Sequence, residues 1–157
     1  MVRVNSDHRY SIEMNEKIFA FVFFLSTSVL LAACGDTRGQ SLQLKNLWAR
    51  PGLAQGNSAI YFVIDNPTAV EDSLLSVSSD VAEAVEMHMT MMQDGNMQMI
   101  PQKEVPVLVG KTEFKPGGFH VMLIGLKYDL KPGDTFNITL NFKSAGEKPL
   151  EVTVGEP

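Results

Sequence analysis

The chain has 157 residues, a formal net charge of −5 and a pI near 5.1. Nucleic-acid binding needs a basic surface, so this charge argues against a nucleic-acid partner. Cys34 is the single cysteine, which excludes a disulfide within one chain and any thiolate metal ligand in the residues that follow it.

The N-terminal segment has the features of a signal for export. Residues 18–33 form an uncharged run preceded by Lys17. A membrane-spanning helix needs about 20 apolar residues, so this shorter run better fits the apolar core of a signal peptide. The run ends in Leu31-Ala32-Ala33-Cys34, which resembles a bacterial lipobox, where the cysteine is lipidated and becomes the new N-terminus. We therefore expect a signal peptide over residues 1–34 and a protein of the periplasm or cell envelope that is held at the membrane only by a lipid on Cys34. An incidental cysteine after an ordinary signal peptide, or an uncleaved anchor, are the alternatives.

The remainder of the chain is predicted to be all-β. Residues 35–41 are small and polar and are interpreted as a tether. Within residues 42–157, short apolar segments alternate with turn residues, and no window has convincing helical periodicity. The sequence therefore predicts a β-sandwich or barrel of about eight strands. Predicted strands cover Leu42–Arg50, Ser58–Asp65, Leu74–Ser78, Ala82–Thr90, Met97–Gln102, Val105–Val109, His120–Leu126, Thr135–Phe142 and Leu150–Val154.

Six of the nine methionines lie between Met87 and Met99, on either side of an Asp94-Gly95 hairpin signal. A two-residue turn there would place Thr90 opposite Met99. Side chains on one face of a strand repeat every second residue, so Met99 would then lie diagonal to His88 on the same face. A three-residue turn would separate the two. His120 and Met122 are two residues apart and share a face by the same rule.

These residues offer two imidazoles and two or more thioethers on strand faces. Imidazole suits several transition metals, whereas thioether sulfur is soft and selects Cu(I). Zinc normally recruits cysteine, histidine or carboxylates. The sequence thus predicts one Cu(I) ion per chain. Met87, Met89 and Met91 are expected on the opposite face from His88, as core packing or surface residues.

The spacing of these residues resembles that of the PCuAC family of periplasmic copper chaperones. Ten residues separate His88 from Met99, and twenty separate Met99 from His120-Val121-Met122. The second gap is one residue shorter than in the family's pattern, and we interpret the shortening as loop trimming between strands, within Val105–Phe114. The resemblance extends over residues 42–154, from Trp48-Ala49-Arg50 to the segment Lys115–Leu126.

The resemblance implies a cupredoxin-like Greek-key β-sandwich. It also implies that Cu(I) is bound near one end of this sandwich. The implied ligands are His88, Met99, His120 and Met122, with Met89 as an accessory residue. It also implies that the protein delivers copper to the apo copper A subunit of cytochrome c oxidase, sometimes with a Sco-type thiol oxidoreductase as a second partner. The sequence has no nucleophile–base pattern and no carboxylate pair suited to acid–base catalysis, so we expect a carrier and not an enzyme.

Three other functions compete with copper delivery. An electron-transfer cupredoxin needs a cysteine ligand, and none follows Cys34. A copper buffer or resistance protein would sequester the metal without delivering it. A metal-free module could use its methionines as an adaptable contact surface. The last two are left as alternatives.

Overall fold

The computed structural model describes residues 41–93 and 95–155, which contain strands and turns but no helix and hence none that could cross a membrane. The all-β prediction is confirmed, but these residues form ten strands where about eight were expected. The predicted signal peptide, the lipidation site and nearly all of the tether lie outside the described residues. The strands are β1 (Gln43–Ala49), β2 (Asn57–Asn66), β3 (Asp72–Ser78), β4 (Ala82–Gln93), β5 (Asn96–Pro101), β6 (Val105–Val107), β7 (Gly110–Phe114), β8 (Phe119–Leu126), β9 (Thr135–Phe142) and β10 (Gly146–Val154).

The segment Val105–Phe114 is not a loop between strands, because it contains β6, which lies within the predicted strand Val105–Val109, and β7, which was not predicted. β7 pairs antiparallel with β2, and Phe114 lies opposite Phe62. In β7, exposed Lys111 and Glu113 alternate with buried Thr112 and Phe114, of which only Phe114 is large and apolar. Such an amphipathic strand is stabilised by its neighbour in the sheet more than by its own propensity.

Hydrogen bonds join the ten strands in the order β5-β4-β8-β7-β2-β1-β10-β9-β3-β6, with β8 also paired to β2. β1 connects the two halves of this order, because it pairs antiparallel with β2 and parallel with β10. Its register against β2 shifts between Lys45 and Trp48, where Asn46 has a φ of 52°. An irregularity of this kind bends a strand and increases its twist.

The core follows from alternation along the strands. On β9, Phe136, Ile138, Leu140 and Phe142 are buried, and the residues between them are more exposed. β8 obeys the same rule: Val121 and Leu123 are fully buried in the core, so His120 and Met122 lie on the opposite face. The apolar alternation that builds the core therefore determines which face of β8 carries the candidate ligands.

A tight turn precedes this part of β8. The amide of Gly118 donates to the carbonyl of Lys115 at 3.0 Å, and the amide of Lys115 donates to the carbonyl of Phe119 at 2.7 Å. Pro116 followed by Gly117, whose φ is 78°, is typical of a type II turn. His120 follows this turn by two residues.

Candidate metal site

Three neighbouring strands, β5, β4 and β8, carry the four predicted ligands. Gln93 pairs with Asn96, Met92 with Met97, and Thr90 with Met99. Only two residues separate the paired strands, so the predicted two-residue turn is confirmed. His88 pairs with Pro101, which places Met99 at the diagonal position to His88 on the same face.

The pairing of β4 with β8 brings the two histidines together. His88 lies directly opposite His120, and Glu86 lies opposite Met122. The imidazole centroids are 5.8 Å apart and the rings are tilted by 58°. Because His88, His120 and Met122 share a face with Met99, the register brings all four predicted ligands to one side of the sheet.

The four side chains differ in their access to solvent. His88 and His120 are 8% and 5% exposed, whereas Met99 is 58% exposed and Met122 is half-buried. Met99, His120 and Met122 line an open cavity of about 410 Å³. His88 is not among the lining residues, and its ring lies against that of His120. The site thus consists of a buried imidazole pair with thioethers on its solvent side.

Each histidine has one nitrogen in a hydrogen bond. Nδ1 of His120 lies 3.1 Å from the carbonyl oxygen of Gly118. Nε2 of His88 lies 2.8 Å from Oε2 of Glu86. The other nitrogen of His88, Nδ1, is buried and has no hydrogen-bond partner among the described residues. Buried polar atoms are normally paired, so an orphaned imidazole nitrogen beside a second imidazole fits a metal ligand.

The donor set also fits the predicted metal. Imidazole nitrogen binds several transition metals, and thioether sulfur favours Cu(I). In residues 41–93 and 95–155, no group of three histidine, cysteine, aspartate or glutamate side chains is placed to hold a metal ion. Met99 and Met122 lie on the same face as the two histidines and would complete the coordination that the histidines begin.

The remaining methionines divide by strand parity. Met87 is 5% exposed and belongs to the core, whereas Met91 is 49% exposed. Met89 pairs with Ile100 on one side and Phe119 on the other, so it lies on the face opposite His88. The structure confirms that these three residues occupy the other face, and it does not bring Met89 to the four predicted ligands.

Several residues of the site were not predicted. Glu86 contacts His88, and Thr90 and Met97 line the cavity with Tyr61. The ring of Tyr61 lies 6.5 Å from that of His120 and 4.7 Å from that of Trp48, the single tryptophan of the chain. Parity on β4 could have identified Glu86 as sharing a face with His88. No local signal indicates Tyr61, because its place depends on the pairing of β2 with β8.

Solved structures with this fold define the class of the domain. The copper-bound PCuAC domain from PmoF2 matches with a TM-score of 0.62 at 22% identity, covering 74% of this chain and 94% of that domain. The apo PCuAC domain from PmoF1 has the same TM-score at 24% identity, covering 74% and 95%. The solution structure of Cu(I)-DR1885 from Deinococcus radiodurans matches with a TM-score of 0.56 at 26% identity, covering 79% and 86%. The chain is a domain of the PCuAC type, and the predicted cupredoxin-like fold is confirmed.

Sequence comparison defines the family. The family model described as "Putative lipoprotein LpqE-like" matches residues 42–154, and the chain belongs to this family. The uncharacterized protein RP573 of Rickettsia prowazekii (strain Madrid E) is 37% identical over 114 residues, which cover 68% of this chain and 62% of that protein. The match thus spans less than two thirds of the Rickettsia protein. A protein of Leifsonia xyli subsp. xyli (strain CTCB07), named "Putative lipoprotein Lxx21020", is 27% identical over 132 residues, or 81% of this chain and 79% of that one.

Proposed function

We propose that this protein binds one Cu(I) ion per chain and acts as a copper chaperone of the cell envelope. The observation that carries the proposal is the register of β4 and β8, which sets His88 directly opposite His120. Met99 and Met122 lie on the same face and line the adjoining cavity. Two imidazoles with two thioethers form a donor set that suits Cu(I) better than zinc.

The solved relatives support a role with copper. The PmoF2 domain was solved with copper bound and DR1885 was solved as its Cu(I) form, and both share this fold. The proposed role is to carry the ion and not to catalyse a reaction. A carrier must release its metal, and the exposed thioether of Met99 gives an acceptor protein a point of access that the buried imidazoles do not.

The proposed acceptor is the copper A centre of cytochrome c oxidase, with a Sco-type thiol oxidoreductase as a further partner. The Cu(I)-loaded protein should lose its metal to an apo copper A domain when the two are mixed without oxygen, separated by chromatography and assayed for copper. The same mixture with the Sco-type protein added tests the second partner. In the control, a Cu(I)–chelator complex that gives the same free copper concentration replaces the Cu(I)-loaded protein. This control measures how much copper reaches the copper A domain through solution.

Copper that stays on this protein, or that moves no faster than from the chelator, would contradict delivery. That result would favour the alternative of a copper buffer. A metal-free interaction module would be favoured by two results together. The protein would be purified from copper-supplemented cells without bound metal, and it would fail to bind Cu(I) in vitro.

We also propose that Cys34 carries a lipid that anchors the protein in the cell envelope. This proposal is supported by the name of the family and by that of the Leifsonia relative, since both contain the words "putative lipoprotein". Cells grown with labelled palmitate should yield a labelled protein in the membrane fraction, and Cys34→Ser should abolish the label. A label that survives Cys34→Ser would contradict the assignment of Cys34.

A further inference from the structure

We propose that Glu86 is a positioning residue, which holds His88 with its proton on Nε2 and so presents Nδ1 of His88 to the metal. His120 is held in the opposite tautomer and presents Nε2. The tautomers are a property of the apo protein. The consequence for metal binding rests on the proposed function of the site.

The position of Glu86 follows from the register of β4 and β8. Glu86 precedes His88 by two residues and therefore shares its face, and it lies opposite Met122. Its side chain is 46% exposed, yet Oε2 lies 2.8 Å from Nε2 of His88. A carboxylate only accepts hydrogen bonds, so Nε2 must be the donor. A neutral imidazole has one N–H and one lone pair, which leaves the lone pair on Nδ1.

His120 is fixed by a different kind of acceptor. Nδ1 of His120 lies 3.1 Å from the carbonyl oxygen of Gly118, which also only accepts. Nδ1 must therefore carry the proton, and the lone pair is on Nε2. The same carbonyl accepts the amide of Thr90 at 3.1 Å, so β4 holds it in place. One histidine is oriented by the backbone and the other by a side chain two residues away.

The orphaned nitrogen of His88 is the observation that distinguishes this arrangement from an ordinary surface ion pair. Nδ1 is buried and unpartnered among the residues that the structure describes. A flip of the imidazole ring would place a different atom next to Oε2 of Glu86, and the contact between Glu86 and Nε2 would be lost. A buried acceptor without a partner costs stability. The contact between Glu86 and Nε2 holds the ring in the orientation that leaves Nδ1 unpaired. A ligand bound to Nδ1 would remove this loss of stability. Residues that orient a ligating histidine in this way typically change metal affinity by about 10- to 100-fold when they are replaced.

The first test needs no metal. The apo protein, labelled with ¹⁵N at histidine, is studied by long-range ¹H–¹⁵N correlation spectra at mildly alkaline pH, where imidazoles are neutral. We expect the proton of His88 on Nε2 and that of His120 on Nδ1. A proton of His88 on Nδ1, or an equal mixture of its two tautomers, would overturn the proposal while leaving Cu(I) binding by the wild-type protein intact.

The second test replaces the acceptor. Glu86→Leu should give His88 as a mixture of tautomers and weaken Cu(I) binding by about 10- to 100-fold in competition with a chelator. Glu86→Gln keeps a carbonyl oxygen that accepts from Nε2, so it should retain the wild-type tautomer and most of the affinity. Glu113→Leu, on β7, removes an exposed carboxylate that pairs with Lys115, and it should change neither measurement.

A Glu86→Leu protein with His88 still locked as the Nε2–H tautomer and with wild-type affinity would show that Glu86 does not position the ring. Far-UV circular dichroism of each variant identifies any loss of fold, in which case the tautomers of the wild-type apo protein decide. A wild-type protein that fails to bind Cu(I) would contradict the proposed function, and the apo tautomers would still be measurable.

Discussion

His120→Ala combined with Met122→Ala should abolish high-affinity Cu(I) binding. The double substitution removes two of the four proposed donors, both on β8, and leaves His88 without its partner imidazole. Loss of a residue that merely supports a ligating histidine costs about 10- to 100-fold in affinity, so loss of two ligands should exceed about 100-fold. Competition with a Cu(I) chelator under anaerobic conditions measures the effect.

Met91→Ala is the matched control. Met91 is exposed to a similar degree as Met99 and lies on the same hairpin, but it is on the opposite face from His88. It should bind Cu(I) like the wild-type protein. Equal binding by the double variant and the wild type would show that these residues are not the ligands, and weakened binding by Met91→Ala alone would show that strand parity does not define the site.

Phe114→Ala should be the most destabilising of the single substitutions considered. The ring of Phe114 stacks on that of Phe62 at a centroid distance of 4.3 Å and an interplanar angle of 16°, and both residues are almost fully buried. Truncating a buried phenylalanine removes its transfer free energy and leaves a cavity, which together cost about 3–5 kcal/mol. Urea denaturation should show a lower midpoint with an unchanged slope.

An exposed neighbour on the same strand is the control for this effect. Lys111→Ala should change the free energy of unfolding by less than about 0.5 kcal/mol. If Phe114→Ala had the same midpoint as Lys111→Ala, β7 would not form part of the core. Phe114 also immediately precedes the turn that holds the carbonyl of Gly118, so the variant tests whether a core defect reaches His120.

Local patterns predicted those parts of the site that depend on neighbouring residues. The Asp94-Gly95 signal predicted the register of β4 and β5, because a two-residue turn leaves no freedom in the pairing. The two-residue spacing of His120 and Met122 predicted a shared face. The resemblance to a family supplied the complete set of candidate ligands, including the pair on β8.

The contacts between distant segments were not predictable in this way. No local pattern indicates that β4 pairs with β8, and hence that His88 lies opposite His120, because this pairing is part of the whole sheet. The roles of Glu86 and Tyr61 depend on the same long-range registers. β7 was missed for a related reason, since a strand with one polar face is stabilised by its position between β2 and β8 in the sheet.

The place of β5 at one end of the strand order has a consequence for local unfolding. Among the described strands, β5 is hydrogen-bonded to β4 alone, whereas β4 and β8 have neighbours on both sides. A strand held on one side and exposed along its length separates from a sheet at a lower free energy than an internal strand. Hydrogen exchange should therefore be faster in β5 than in β4 and β8. Met99 then lies on a strand that opens more readily than the two strands that carry the histidines.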